Sequence, residues 1–351
     1  MLPTKITPDY AIVGQGLAGT LLAHFLRRVG KTVRVYDGGH HGASSTVAAG
    51  VMNPITGWRF VKSWQIDTLL PFALRTYREL EQQLGARFLW ETDIIRSIHA
   101  QKDLNNWLTR SLLPDYAPYM QDEVRWERYA GRIHPPYAAG TVRGGGRLHC
   151  RVFLETYREF LRRHDLLVER ELDAEQLTEL TRTQRVVLCR GYREKLRPEF
   201  AGLPFGGSKG EVLLVRIPGA GFERIFKNRV FLVRLEGDLY WVGSAYANQF
   251  DDEQPSEAGR AQLLAKLDAA LAVPYEVVDH RAAVRPTTID RRPFLGAHPT
   301  RPNLFIFNGL GTKGASLAPY FAARLVDFLE AAAELPPEVD IRRFAMSENA
   351  R

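Results

Sequence analysis

The sequence predicts an α/β protein that joins a Rossmann-like nucleotide-binding sheet to an antiparallel sheet. An apolar strand at residues 10–13 leads into a glycine-rich turn, a segment of helical period and a second apolar strand that ends at Asp37. Short alternating segments between residues 211 and 247 favour antiparallel strands. The nucleotide-binding signals fall in three separated blocks of the sequence, which indicates that the two domains are interleaved.

The opening turn is Gly14-Gln-Gly16-Leu-Ala-Gly19, a G-x-G-x-x-G fingerprint inside a βαβ unit. Gly14 permits the tight turn, Gly16 lets the backbone approach a pyrophosphate, and Gly19 lets the helix pack closely on the strand. The helix N-terminus faces the phosphate charge, and Asp37 is placed to accept hydrogen bonds from a ribose. The motif predicts a site for an adenine dinucleotide, either FAD or NAD.

Composition and charge favour a globular enzyme with two lobes. The 351 residues suffice for two cores, and the apolar (45%) and charged (25%) fractions are ordinary. The net charge of +7 suits nucleic acid or acidic substrates, but the charges are scattered, so a basic enzyme is the simpler interpretation. No window has the length of a membrane-spanning helix, and the first strand begins too near the N-terminus for a signal peptide. Cys150 and Cys189 are far apart and lack metal-ligand spacing, which predicts a cytoplasmic protein without a metal.

The remaining elements follow from apolar periodicity and from turn residues. A small, glycine-rich segment at residues 38–57 lets the backbone lie against a flat ligand. The other predicted elements are helices at residues 66–84, 101–113, 152–163, 256–272 and 314–330, strands at 88–98, 166–169, 186–189, 277–284 and 304–307, and loops with short strands at 114–148.

Five segments in this order resemble the FAD-dependent D-amino-acid oxidase superfamily, which includes glycine oxidase, sarcosine oxidases and related amine dehydrogenases. They are the opening fingerprint, Gly42-Ala-Ser44-Ser45 with Ala49-Gly50, the strand that leads to Gly191, the Arg285-Pro…Asp290…Pro293…Gly296 block, and Gly309-Leu-Gly311-Thr-Lys313-Gly314. The last motif most resembles the flavin domain of the bifunctional tRNA wobble-uridine methylaminomethyl-biosynthesis enzyme, although this chain has no methyltransferase half. The resemblance implies a glutathione-reductase-like FAD domain at residues 1–78, 146–205 and 280–351. It also implies a substrate-binding domain at residues 79–145 and 206–279.

The resemblance further implies noncovalent FAD. Members with covalent flavin carry a histidine where this chain has Val47, or a cysteine near the last motif, where this chain has none. The residues implied in cofactor binding are Gly14, Gly16, Leu17, Ala18, Gly19, Asp37, Ser44, Ser45, Ala49, Gly50, Val51, Met52, Val168, Gly191, Gly309, Gly311, Thr312, Lys313 and Gly314.

Four side chains are candidates for catalysis or substrate contact. The resemblance implies that Arg285 pairs with a substrate carboxylate, which suits a guanidinium fork; the alternative is a salt bridge within the fold. Tyr246 is expected to orient the substrate over the flavin, or else to be an ordinary core or surface tyrosine. Lys313 is expected beside the flavin edge, where reduction builds negative charge, or else in solvent. Arg59 is expected to recognise a second acidic group, or else to belong to a solvated face.

The implied activity is oxidation of the C–N bond of a small amine or amino acid, by hydride transfer to flavin N5 and hydrolysis of the imine. No side-chain base is required, and reoxidation by oxygen or by another acceptor stays open. Two alternatives remain at this point. One is a flavoenzyme that modifies the carboxymethylaminomethyl group of a tRNA wobble uridine, and the other is an NAD(P)-dependent dehydrogenase.

Overall fold

The computed structural model describes residues 7–39, 42–121 and 129–344. Residues 122–128, within the segment predicted as loops and short strands, lie outside this part of the chain. The strands are β1 (Tyr10–Val13), β2 (Val33–Tyr36), β3 (Val51–Met52), β4 (Ile55–Thr56), β5 (Val61–Lys62), β6 (Leu89–Glu91), β7 (Ile94–Ile98), β8 (Met120–Gln121), β9 (Ala138–Val142), β10 (Gly146–Leu148), β11 (Leu167–Val168), β12 (Arg185–Leu188), β13 (Ser208–Arg216), β14 (Ile225–Asn228), β15 (Val230–Glu236), β16 (Leu239–Ala247), β17 (Glu276–Arg285), β18 (Phe294–Ala297) and β19 (Leu304–Asn308). The α-helices are α1 (Leu17–Arg28), α2 (Ser44–Val47), α3 (Ile66–Leu84), α4 (Gln101–Ser111), α5 (Cys150–Arg163), α6 (Ala174–Thr183), α7 (Glu257–Asp268) and α8 (Gly314–Ala331), and 3-10 helices occupy Gly191–Leu196 and Ile341–Arg343.

The nucleotide-binding part is built on a six-stranded sheet in the order β11-β2-β1-β12-β19-β18. Its strands run parallel, except that β18 is antiparallel to β19. Side chains on both faces are buried, as in other sheets covered by helices: Val35 and Val187 contribute to one core, and Val186 and Leu188 to another. The predicted Rossmann-like unit is confirmed.

The second large sheet has eight strands in the order β17-β13-β16-β15-β14-β7-β9-β8. All its pairs are antiparallel except β14 with β7. One face buries apolar side chains such as Leu213 and Val242 against Leu263 and Leu267 of α7. Because successive side chains of a strand point to opposite faces of the sheet, the other face can line a cleft. The antiparallel sheet predicted between residues 211 and 247 is confirmed.

Two local predictions were wrong. The strand predicted at residues 88–98 is two strands, β6 and β7, which are separated by Thr92–Asp93 and belong to different sheets. Helix α6 was missed, although Asp173 and Gln176 form a capping box at its start. The division into two domains stays a prediction, and β17 crosses its boundary at residue 280. Among the described residues, none of the helices combines the length and apolar character needed to cross a bilayer.

Candidate active site

The opening glycine turn is fixed by steric necessity at two positions. Gly14 has a φ of +103°, and a Cβ there would lie 2.5 Å from the carbonyl oxygen of Cys189. A Cβ on Gly19 would lie 1.9 Å from the carbonyl oxygen of Gly14, so only glycine lets α1 start this close to the strand. Gly16 has room, since a Cβ there would meet only the Ser45 hydroxyl at 3.3 Å. The fold therefore does not by itself require glycine at position 16, and its role toward a pyrophosphate stays a prediction.

Two helix N-termini converge on one cleft. Helix α1 begins after Gly16 and α8 begins after Lys313, and neither start is capped by a side chain. They are close together, because a Cβ on Gly314 would lie 3.1 Å from the Leu17 side chain. Uncapped N-termini present backbone N–H groups and a positive dipole end, which suit a phosphate and a flavin edge that gains negative charge. The residues present thus fit an adenine dinucleotide.

Asp37 ties this turn to the neighbouring helix. Its Oδ2 accepts a hydrogen bond of 2.8 Å from the backbone N–H of Gln15, and its Oδ1 accepts hydrogen bonds from Gly39 N–H (2.9 Å) and Arg158 (2.7 Å). Arg158 also donates to the Gln15 side chain. Within the described residues Oδ2 accepts only the Gln15 hydrogen bond, so it has a lone pair left for a ribose hydroxyl.

Most of the predicted site residues line two connected cavities. The smaller cavity, of about 130 Å³, contains Gly14 and Asp37, and the larger one, of about 600 Å³, lies between the two large sheets. Gly16, Ser44, Ser45 and Gly191 line both. The other predicted residues in the larger cavity are Leu17, Ala18, Ala49, Gly50, Val51, Tyr246, Arg285, Gly311, Thr312, Lys313 and Gly314. The structure does not bring Gly19, Met52, Arg59, Val168 or Gly309 to either cavity, and their roles stay predictions.

Arg285 is held in the larger cavity without a carboxylate partner among the described residues. Its Nη2 donates to the Ser244 hydroxyl at 3.1 Å, and its guanidinium lies 4.6 Å from the centroid of the Tyr246 ring. Its Nη1 is buried and has no hydrogen-bond partner in the described part of the chain. Burial lowers the pKa of Arg285 from its usual value. The salt bridge considered as an alternative is not formed with any described residue, and the arrangement leaves a donor for an anionic ligand.

Lys313 and Tyr246 both face the larger cavity. The Lys313 ammonium donates to the Ser63 hydroxyl at 3.3 Å, and burial, followed by the charges of Arg292 and Arg291, lowers the pKa of Lys313. Tyr246 is 59% exposed and provides the ring on which Arg285 stacks. Arg59, in contrast, stacks on Trp58 at 4.6 Å from the ring centroid and lies outside the cavity.

Sequence reasoning missed several residues of the larger cavity. Arg96, Lys227 and Arg229 add positive charge, and Trp241 contributes an apolar wall while its Nε1 donates to the Val47 carbonyl at 2.8 Å. A signal for Arg96 was available, because it interrupts the apolar strand β7. The described lining of the larger cavity contains no aspartate or glutamate. Its electrostatic potential is therefore positive and favours anions.

The parallel sheet, the glycine turn and the two uncapped helix starts define a dinucleotide-binding oxidoreductase whose antiparallel sheet roofs the cleft. The family model described as FAD dependent oxidoreductase, DAO, matches residues 9–328, and the chain belongs to this family. The resemblance seen in the sequence is thus confirmed, and the cofactor of the family is FAD.

Relatives and solved structures agree with this assignment. A glycine oxidase from Bacillus licheniformis is 24% identical over 92% of each chain. The crystal structure of glycine oxidase from Geobacillus kaustophilus superimposes with a TM-score of 0.78 at 21% identity, covering 97% of this chain and 99% of that one, which shows the shared fold. A tRNA 5-methylaminomethyl-2-thiouridine biosynthesis bifunctional protein from a Caulobacter species is 43% identical over 76 residues, 21% of this chain and 12% of that protein. The tRNA-modifying and NAD(P)-dependent alternatives are not favoured.

Proposed function

We propose that the protein oxidises the C–N bond of a small amine or amino acid that carries a carboxylate. The observation that supports this best is Arg285, a partly buried residue whose buried Nη1 has no partner among the described residues and which lines the cavity at the N-termini of α1 and α8. When bound, FAD supplies the hydride acceptor, and the imine formed from the substrate is hydrolysed in water.

The chain's own residues would bind the substrate and set its protonation. Arg285 binds the carboxylate, and the Tyr246 ring and Ser244 hydroxyl fix the guanidinium plane. Since the described lining holds cations and no carboxylate, the cavity disfavours a charged ammonium and selects the neutral amine, which is the form that gives up a hydride. Lys313 and the N-terminus of α8 stabilise negative charge that develops nearby.

The cofactor would be held noncovalently by the residues of the two cavities. Gly14, Gly16, Leu17 and Ala18 at the start of α1 would hold the pyrophosphate, and Asp37 the ribose. Cys150 and Cys189 also line the larger cavity, but burial raises the pKa of Cys150 to about 12 and that of Cys189 still further. Both thiols stay protonated and are poor nucleophiles toward a flavin. Release of all the FAD on denaturation tests this proposal.

The domain division at residues 1–78, 146–205 and 280–351 against 79–145 and 206–279 belongs to the same proposal. It is supported by the six-stranded sheet, whose strands all come from the first set, and by the eight-stranded sheet, which draws on the second set and on β17. Since both cysteines are buried and unpaired, we also propose that the protein works in a reducing compartment, the cytoplasm.

An anaerobic screen tests the activity. Glycine, sarcosine, proline and D-amino acids are mixed with the FAD-loaded protein, and loss of the oxidised flavin absorbance reports the reaction. Arg285→Met should raise the Kd of carboxylate substrates about 100-fold, as expected for loss of one partner of a buried charge pair, with the FAD content unchanged. If Arg285→Met weakened substrate binding and FAD binding equally, Arg285 would have a structural role instead. If none of the amines reduced the flavin, the proposed activity would be wrong. Peroxide formed on admitting oxygen distinguishes an oxidase from a dehydrogenase.

A further inference from the structure

Three cations form a second cluster in the larger cavity: Arg96 on β7, Lys227 on β14, and Arg229 in the turn after β14. None of them forms a salt bridge with a carboxylate in the described part of the chain. The described lining offers no acidic residue to neutralise them. The cluster is therefore a concentration of positive charge without a direct ion pair in the described residues. Asp103 of α4 is the carboxylate that acts on it from nearby, since it favours the charged forms of Arg96 and His99.

Strand pairing places two of these cations side by side. Arg96 and Lys227 are register partners in the parallel pair β7–β14, so their side chains leave the same face of the sheet with Cβ atoms about 5 Å apart. Like charges directly opposite one another on a sheet are unfavourable unless an anion lies between them. The pairing is a property of the strand register and not of flexible surface side chains.

Contacts with neutral groups hold both side chains in place. The Lys227 ammonium lies 4.4 Å from the centroid of the Phe231 ring and donates to the Arg229 carbonyl at 3.3 Å. Arg96 donates through Nη2 to the Gly57 carbonyl at 3.2 Å and stacks on Phe60, while its buried Nε has no partner among the described residues. These contacts orient the charges but do not neutralise them.

The pKa values of the cluster show that its charged forms are disfavoured in the folded protein. Burial, and then the charges of Arg96 and Lys266, lower the pKa of Lys227 to about 8. Burial also lowers the pKa of Arg96, against the opposing effect of the Asp103 carboxylate. The pKa of the neighbouring His99 is lowered by burial and by Arg229 and Arg96. A bound anion would relieve this mutual repulsion and would thereby stabilise the folded protein.

The cluster is separate from the Arg285 anchor. Arg285 bonds Ser244 on β16, whereas Lys227 lies two strands away and Arg96 three, so the two sites are roughly 10 Å apart at the usual strand spacing. Phe231 and Trp241 lie on the strands between Lys227 and Arg285 and line the same cavity. A ligand that reached both cationic sites would thus cross an apolar middle section.

The geometry points to a second anion subsite, formed by Arg96, Lys227 and Arg229, that binds a phosphate group at the far end of an amine substrate. This inference rests on the proposed function, since it takes Arg285 as the anchor for the carboxylate. A phosphate monoester carries nearly two negative charges and three acceptor oxygens, which suit a group of three cations better than the single charge of a carboxylate does. The cavity of about 600 Å³ is shared with FAD, whose predicted residues lie at the N-termini of α1 and α8, whereas the cluster lies on the antiparallel sheet.

Binding to the FAD-loaded protein tests the subsite. The probes are amino acids with a terminal phosphonate on a chain of five to seven carbons, and the controls are the same amino acids without the phosphonate. We expect the phosphonate to lower the Kd at least about tenfold, a difference worth about 1.4 kcal/mol, measured by calorimetry and by the shift of the flavin spectrum. The gain should fall with added salt, because it is electrostatic.

Lys227→Met should remove most of this gain and leave the Kd of the control amino acids unchanged, and Lys227→Arg should restore it. Lys102→Met, which removes an exposed lysine on α4 outside the cavity, should preserve the gain. An equal Kd for probe and control would overturn the subsite, even where short amino acids bleach the flavin and the proposed function stands. A charge-dependent gain without any bleaching would keep the subsite and overturn the proposed function. Competition by bulk tRNA at low salt would overturn the assignment to a small molecule.

Discussion

The guanidinium of Arg285 lies 4.6 Å from the centroid of the Tyr246 ring, and its Nη1 has no hydrogen-bond partner among the described residues. The ring orients the guanidinium without neutralising it, because a cation over an aromatic face keeps its full charge. The Arg285 side chain donates one hydrogen bond within the described part of the chain, to the neutral Ser244 hydroxyl. Arg285 is thus fixed in position while its charge stays available to a ligand.

Gly210 should prove essential for the position of Arg285. Gly210 lies on the extended strand β13, and a Cβ there would be 2.1 Å from Arg285 Nη1, at the movable end of a side chain. Gly210→Ala should therefore displace the guanidinium with little loss of stability. We expect kcat/KM for carboxylate substrates to fall about tenfold or more, mainly through KM, with a normal FAD content.

A double mutant separates this effect from general damage. If Gly210 acts through Arg285, adding Gly210→Ala to Arg285→Met should change kcat/KM by less than about twofold, because coupled residues are not additive. Additive losses in the double mutant would instead show that Gly210→Ala disturbs the sheet.

The Tyr246 ring and the Tyr246 hydroxyl have separable effects. Tyr246→Phe keeps the face on which Arg285 stacks, so KM for a carboxylate substrate should change by less than about threefold. Tyr246→Ala removes the face, and KM should rise by about three- to tenfold, corresponding to a cation–π contribution near 1 kcal/mol. Steady-state kinetics on both variants decide the point. A large loss of kcat in Tyr246→Phe would show that the hydroxyl itself contacts the substrate.

Gly16 should be required by the cofactor and not by the fold. Its φ of −81° is accessible to alanine, and a Cβ would meet only the Ser45 hydroxyl at 3.3 Å. Gly16→Ala should therefore fold, with a change in the unfolding free energy of the FAD-free protein below about 0.5 kcal/mol. The FAD-to-protein ratio, measured by absorbance, should drop sharply because the methyl group occupies the approach to the helix N-terminus.

Gly14→Ala provides the contrast, since it places a Cβ 2.5 Å from the Cys189 carbonyl oxygen at a φ of +103°. This variant should lose soluble expression or thermal stability as well as FAD. A Gly16→Ala protein that retained full FAD would contradict the proposed pyrophosphate site.

The sequence predicted best those structural features that depend on residues close together in the chain. The glycine spacing and the acidic residue at the end of β2 predicted the nucleotide-binding unit, because turn geometry and helix approach depend on a few neighbouring residues. The capping box of Asp173 and Gln176 is equally local, so α6 could have been predicted from the sequence.

Features that depend on pairing between distant strands could not be predicted in this way. Arg96 and Lys227 become neighbours only through the register of β7 with β14, and nothing near either residue specifies that register. The change of sheet at Thr92–Asp93 is similar, because an apolar run records burial but not the sheet that provides it. The resemblance to the family predicted the role of Arg285 in substrate binding. Only the structure showed that Nη1 has no partner among the described residues and that the guanidinium stacks on Tyr246.

Lys227 should destabilise the folded protein while it is charged. Its pKa is lowered from 10.5 to about 8 by burial and nearby cations, so the folded state disfavours the ammonium. Lys227→Met should raise the free energy of unfolding at pH 7 by about 1 to 3 kcal/mol, at 1.36 kcal/mol per pKa unit with allowance for partial exposure. Urea denaturation of the FAD-loaded protein measures this difference.

The pH dependence of stability is an independent test of whether the charged Lys227 side chain destabilises the folded protein. Between pH 8 and pH 10.5 the unfolded chain binds the Lys227 proton and the folded chain does not, so the stability of the wild type rises with pH in this window. The advantage of Lys227→Met should accordingly shrink as the pH rises through the window. Lys102→Met, at an exposed site, should change the unfolding free energy by less than about 0.5 kcal/mol both below and above this pH window. If Lys227→Met were instead destabilising at pH 7, the ammonium would have a stabilising partner, and the proposed excess of positive charge around Lys227 would not exist.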